Sequence, residues 1–422
     1  MHEPTPSNNL SPQDAVALLA ERVAPVEPQT LRLTATSDAA GRVLATPVTL
    51  DRASPACDVS AMDGFAVRMA ELAAGPMPIA GECRIGEAPP ELSPGVALRI
   101  YTGSPVPLGA DAVVPLEQVD ERDDSIRLNA TAKPHPGGNI RRRGENAKAG
   151  DVVLNAGRVL TPAAMTALAA IGPAEITTHR PLRVAIITTG DELETAWGAE
   201  SPTEPHTEPH TEPGAAGLAP WRLRDSNGPT LQALLGAPPW IDRVDRTHSA
   251  DDLDGLTRVI ADRLATADAV VLTGGVSKGA YDFVPEAVAR VGGERLFHRI
   301  NARPGRPTFA AVVGGRPILG LPGNPVAVLT AGVRLLGAAL RRRAGLAAFE
   351  APAVRVARNA WRGKTVALTW WRPATLDDGG RATLVDLRGS GDTCSAAMSD
   401  GFVECPPGSD AGGVYPFYPW AI

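Results

Sequence analysis

From Leu182 onward, unbroken apolar runs of strand length alternate with stretches whose apolar residues recur at helical spacing. RVAIITTG (183–190), ADAVVLTGG (267–275) and RPILGLPGN (316–324) are such runs, each closing on a glycine turn with a helical stretch behind it. Continuous rather than alternating hydrophobicity marks strands buried on both faces, so the pattern predicts βαβ units and a parallel sheet. The carboxyl ends of its strands would line one edge, where open α/β sheets bind ligands. Residues from about 31 to 160 have a different texture, with short alternating runs rich in Val, Pro and Gly and turn clusters such as GEAPPELSPG (86–95) and KPHPGGN (133–139). This stretch predicts a β-rich region. After Gly345 the pattern is β-like again, in KTVALTWWRPATL (364–376) and DGFVECPPGSD (400–410), which predicts a small C-terminal β domain. Near the amino terminus, Ser11-Pro12-Gln13-Asp14 reads as the capped start of an amphipathic helix.

A chain of 422 residues is too long for one ordinary core, which predicts two or more domains. The formal charge of −6 argues against nucleic acid or an anionic membrane as a main partner, so any anion site must be local. Cys57, Cys83, Cys394 and Cys405 form no C-x-x-C pair, which speaks against structural zinc or a disulfide framework and fits a reducing cytoplasm. No apolar run is long enough to span a bilayer. TEPHTEPHTEPG (203–214) offers nothing to bury and is expected to be a disordered surface insertion, a solvated linker rather than a metal site.

The chemistry gathers in the loops. TGGVSKGAYDF (273–283) is glycine-rich and ends in Asp282, but it is not the loop of a nucleotide triphosphatase. Its glycines free backbone N–H groups for an anion, and Pro285 belongs near the start of the following helix. Asp282 either caps that helix or faces a ligand or cation. In TTGDEL (188–193), Asp191 and Glu192 either cap a helix or hold a hard cation such as magnesium. LPGNPVAVL (321–329) reads as rigid scaffold, and in DSNGPTLQALL (225–235) Ser226 and Asn227 are cap candidates with Pro229 in the first turn. In FHRINARPGRP (297–307), Arg299, Arg303 and Arg306 flank a Pro-Gly turn, and guanidinium forks suit tetrahedral oxyanions. Within the β-rich region, Asp63 sits among small residues before Gly64, Thr102 and Ser104 occupy a turn, and Arg141, Arg142 and Arg143 form a run that suits a phosphate grip or a salt-bridge cluster.

In this order and rough spacing, SAMDGFAV, TGSPVP, NIRRRGEN, TTGDEL, DSNGP, GGVSKGAYD, RPGRP and LPGNP resemble the molybdopterin molybdenumtransferase (MoeA) family, which also supplies the C-terminal part of gephyrin. The resemblance runs from about residue 10 to 345. It implies an enzyme that takes adenylated molybdopterin and molybdate with Mg2+ and yields molybdenum cofactor and AMP. It implies a homodimer of four-domain subunits with the active cleft between subunits, fed by a molybdopterin adenylyltransferase and serving molybdoenzymes. The subunit would divide into an N-terminal helix (1–30), a discontinuous linker domain (31–55 and 143–181), a β-rich central domain (56–142), a molybdopterin-binding MogA-like α/β domain (182–347) and a C-terminal β domain (348–422).

Carried over residue by residue, the resemblance makes Asp63, Thr102, Glu192 and Asp282 catalytic, with Asp282, Glu192 and Asp63 toward Mg2+. It brings Gly274, Gly275, Ser277, Asp225, Asn227, Pro322, Gly323 and Asn324 to the substrate. Arg303 and Arg306 join them there, with Arg299 one helical step earlier. Arg372, Ser390 and Ser395, near GSGDTCSAAMSDGF (389–402), become molybdate contacts. The chain departs from the family pattern at Asn146, often aspartate; at Ala327, where a serine is common; and at the arginines of the Pro-Gly turn, often lysines. A catalytically impaired paralogue acting as carrier or scaffold is the alternative these departures raise.

Overall fold

The computed structural model describes residues 9–34, 39–194, 218–277, 282–358, 365–409 and 412–422. The expected insertion at 203–214 and residues 278–281 of the glycine-rich loop at 273–283 lie outside them. The chain forms two compact units, one of Met1–Thr46, Asn155–Thr166 and Pro173–Ile422, the other of Pro47–Leu154 and Ala167–Gly172.

The larger unit is built on a six-stranded sheet. Its strands are β1 (Leu182–Thr189), β2 (Ile241–Ser249), β3 (Ala269–Thr273), β4 (Glu294–His298), β5 (Phe309–Val313) and β6 (Arg316–Leu321), in spatial order β2-β1-β3-β6-β5-β4. The first four in that order are parallel, and the three apolar runs singled out in the sequence are the adjacent strands β1, β3 and β6. Their hydrophobicity is continuous because both faces are covered. Val184, Ile186, Ala269 and Val271 enter one core, and Ala185, Ile187, Val270 and Leu272 enter the other. Helix α2 (Asn227–Gly236) and the helical stretch that begins with α5 (Pro325–Ala331) pack on the first face, while α3 (Leu253–Thr266) and α4 (Val284–Arg290) pack on the second. The sheet is not wholly parallel, because β5 runs antiparallel to both of its neighbours, β6 and β4, at one edge.

Helix α1 (Pro12–Arg22) starts where the sequence places it: Ser11 Oγ accepts from Asp14 N at 3.1 Å, and Ala15, Val16 and Leu19 are buried in the first core. The C-terminal strands Val354–Arg358, Thr369–Leu376, Arg381–Leu384, Gly401–Cys405 and Gly413–Pro419 pair in a closed ring, a small barrel around Val356, Ala374, Val403 and Phe417. Ala302–Arg303 adds a parallel pairing on the outside of this barrel, setting Arg303 opposite Trp370.

The smaller unit holds a six-stranded sheet in the order Ala112–Pro115, Gly64–Val67, Ala97–Ile100, Met77–Cys83, Ser125–Leu128, Val119–Arg122. Gly64 lies between two partner strands, and a Cβ there would come within 2.0 Å of the Val114 carbonyl oxygen. Backbone cannot yield as a side chain does, so Gly64→Ala is expected to cost about 3 kcal/mol, read as a lower urea midpoint for this unit. Among the described residues no helix is long and apolar enough to cross a membrane.

Candidate functional site

The carboxyl edge of the parallel sheet is tied together by short polar contacts. At the end of β1, Thr189 Oγ1 donates to the Thr273 carbonyl at 3.2 Å. Gly274 N donates to Leu321 O at 3.1 Å, and Asn227 Nδ2 donates to Gly323 O at 2.8 Å. The loops after β1, β3 and β6 are therefore held in contact. Gly274 (φ 90°) allows this, since a Cβ there would sit 2.7 Å from Thr189 Oγ1.

Capping at α2 differs from the sequence expectation. Ser226 makes no side-chain cap bond and Asn227 reaches across to Gly323; it is Asp225 whose Oδ1 accepts from Gly228 N at 2.9 Å. That leaves Asp225 Oδ2 and Asn227 Oδ1 buried without a hydrogen-bond partner among the described residues. Two orphaned acceptors at the carboxyl edge of the sheet cost about 1–3 kcal/mol each, a cost that a ligand bearing N–H donors would relieve.

Asp191 and Glu192 cap no helix. Leu193 and Glu194 continue into a short parallel pairing with Leu223 and Arg224. Asp191 Oδ1 accepts from Asp251 N at 3.1 Å, and Asp251 Oδ2 accepts from Asp191 N at 3.4 Å. Asp251 was not singled out in the sequence; burial, together with the charges of Asp191 and Glu192, pushes its carboxyl above the usual range. Glu192 is exposed. The N-cap of α4 falls on Phe283, which makes no side-chain cap bond, and half-buried Asp282 immediately precedes it. Val284 N donates to Gly275 O at 3.2 Å, and Ser277 is exposed where the described part of the loop ends. His298 is a second residue missed by sequence reading: its Nε2 lies 2.7 Å from the Val276 carbonyl, which can only accept, so the ring donates and pins the loop.

In the same unit, a cavity of about 500 Å³ lies between the Pro-Gly turn, the Pro322–Asn324 loop and the C-terminal barrel. Arg303, Arg306, Arg372, Pro322, Asn324 and Ser390 line it, with Trp370, Asp386 and Ala327. Three guanidiniums against one carboxylate leave a surplus of two positive charges. Arg372 is only 6% exposed, and burial pushes its pKa down to about 10, which still leaves it a cation at neutral pH. Its guanidinium carbon lies 4.4 Å from the Trp370 ring centroid and that of Arg303 lies 5.5 Å from it. Arg299 and Ser395 do not line this cavity. Arg299 is not on a helix; it occupies a turn at φ 87° with its N–H bonded to Thr308 O, and Ser395 N is bonded to the capping carboxylate of Asp392.

In the smaller unit, Asp63 Oδ1 accepts from both Thr102 N (2.7 Å) and Thr102 Oγ1 (2.8 Å). These bonds, the backbone one foremost, hold the exposed Asp63 carboxyl below its usual range. A folded-state pKa that is depressed contributes stability above the unfolded value and loses it as pH falls through the folded one. Thr102→Val, which removes only the hydroxyl donor, is expected to raise the Asp63 midpoint part of the way, measured by carboxyl carbon NMR. Two of the three arginine side chains are occupied locally: Arg142 Nη1 bonds Asp58 at 2.6 Å, and Arg141 pairs with Glu145 and donates to Asn146 Oδ1 at 2.5 Å. Asn146 also donates to Ser54 Oγ at 3.3 Å.

A part-parallel α/β sheet with acidic and glycine-rich loops at its carboxyl edge, an arginine-lined cavity against a β-barrel and a separate β-rich unit together define a multidomain α/β enzyme equipped for anionic ligands. Residues 10–172 match the MoeA N-terminal region (domains I and II), and residues 185–342 match the probable molybdopterin binding domain. The chain is 36% identical over 352 residues to molybdopterin molybdenumtransferase 2 of Mycobacterium tuberculosis, covering 80% of each. It is 35% identical over 320 residues to the molybdopterin molybdenumtransferase of a Nostoc species, covering 73% of this chain and 68% of that one. The molybdopterin biosynthesis MoeA protein of Pyrococcus horikoshii superposes with a TM-score of 0.74 at 25% identity, over 98% of this chain and 100% of its own. The chain belongs to the molybdopterin molybdenumtransferase family, a family of transferases of molybdenum cofactor biosynthesis.

Proposed function

We propose that this protein inserts molybdate into adenylated molybdopterin and releases AMP, in a reaction that requires Mg2+. The observation that carries the reading is the cavity of Arg303, Arg306 and Arg372, whose surplus of two positive charges suits a tetrahedral dianion. Ser390 and Asn324 add hydrogen-bonding groups to its wall. The orphaned acceptors of Asp225 and Asn227 suit the amino and ring N–H groups of a pterin. Backbone N–H groups at Gly275 and Ser277 suit its phosphate.

For the cation, the donors available at the sheet edge are carboxylate oxygens, the chemistry a hard ion takes. Among the described residues no three acidic, histidine or cysteine side chains cluster tightly enough to hold an ion unaided, so substrate oxygens would complete its shell. Glu192 and Asp282 would hold Mg2+, with Asp63 contributed by the β-rich unit of a second subunit in a homodimer. When bound, the ion supplies charge neutralisation at the phosphoanhydride. The protein's own groups orient two anionic reactants and exclude water, which is positioning and electrostatic work and calls for no side-chain nucleophile.

The test is AMP release from adenylated molybdopterin with Mg2+, with and without molybdate. Molybdate-dependent release supports the transferase reading. Binding of the substrate with no release under either condition would instead make the protein a carrier.

A further inference from the structure

The anion cavity has a feature its charge alone does not explain. Arg303 and Arg372 carry like charge and Arg372 is almost wholly buried, yet both line one 500 Å³ space. Both guanidiniums lie against Trp370. Arg303 is its registered partner across the parallel pairing, and Arg372 lies two residues along the same strand, so its side chain leaves the same face of the strand as the indole. The guanidinium carbons lie 5.5 Å and 4.4 Å from one indole centroid, both within the range in which an aromatic face attracts a cation. Indole is the strongest such face, and a planar guanidinium lies along a ring as an ammonium cannot.

We propose that Trp370 is a positioning residue for the oxyanion site, its indole holding Arg303 and Arg372 in the geometry that receives the anion. This rests on the cavity being the molybdate site. The ring's negative face attracts each cation before an anion arrives. It also restricts two long side chains that would otherwise be ordered at the expense of binding affinity.

Molybdate binding to the intact protein, measured by titration calorimetry, tests this with three variants. Arg372→Ala reports on the cavity itself: unchanged affinity would show that molybdate binds elsewhere and would overturn both readings. If Arg372→Ala loses binding, Trp370→Leu is expected to weaken it roughly tenfold, the scale of two cation–π contacts, while Trp370→Phe retains most of it. Equal loss in the Leu and Phe variants would mean that the residue acts by bulk, and unchanged affinity in Trp370→Leu would mean that it does not position the arginines; either overturns the proposal. Should Trp370→Leu fail to fold, fluorinated tryptophans placed at position 370 keep the shape and withdraw charge from the face. Affinity should then fall stepwise with fluorine number, and a flat series overturns the proposal.

Discussion

Arg372→Ala is expected to lower molybdate-dependent turnover by about a hundredfold at limiting molybdate, the cost of removing one charged hydrogen-bond donor from a buried anion site. The side chain is 6% exposed and carries its charge where little water competes for the anion, so each contact there counts for more than at the surface. Arg303 and Arg306 remain in the wall, which is why the loss is finite and why raised molybdate should recover part of it. Asp282→Ala should fail differently. Standing beside the helix start and the glycine loop rather than in the arginine cavity, it is expected to abolish AMP release at every molybdate concentration while molybdate affinity is kept. Calorimetry with molybdate alone, set beside AMP release, separates the two variants; identical behaviour would refute the division of labour between cavity and sheet edge.

Glu404→Leu is expected to destabilise the larger unit by about 3–5 kcal/mol, because it strands a buried cation. Arg334 is 1% exposed, in a π-helical turn (Gly332–Leu336) between α5 and the next helix. Glu404 Oε2 accepts from Arg334 Nε at 3.0 Å and from Trp371 Nε1 at 2.8 Å, and Gln13 of α1 accepts from Arg334 Nη2 at 2.8 Å. The Tyr418 ring lies 5.1 Å from the guanidinium. Burial, with Glu404 nearby, pushes the Tyr418 hydroxyl up to about 12, so it supplies no negative charge to replace the lost carboxylate. Replacing both partners, Arg334→Met with Glu404→Leu, should recover most of the loss, since an apolar pair needs no solvation. Denaturant titration of the two single variants and the double variant checks this, and additive losses would exclude coupling.

The family and its fold class were readable in the chain because the relevant signals are local. Strands buried on both faces have to be apolar without interruption, and turns that approach another backbone have to carry glycine, so β1, β3, β6 and the loops behind them declare themselves. β2 did not, because it is an edge strand whose charged alternation DRVDRTHS hides its parallel pairing, and with it went Asp251. The cap of α2 was misplaced by one or two residues, since Asp225, Ser226 and Asn227 can each cap, and only the approach of Gly323 decides which is used elsewhere.

What the sequence by itself determined is thus the order of elements, the glycine-bounded loops and the chemical types gathered in them. Tertiary structure alone decided which of those groups share a space. Arg303 meets Trp370 only through a pairing between segments far apart in the chain, and Arg334 is satisfied in its buried position by Glu404 and Gln13, which come from near opposite ends of the chain to bond it. Periodicity reports burial and local geometry, which each residue experiences within its own element. Opposed or matched charges across a cavity depend on register and closure, which no single element carries.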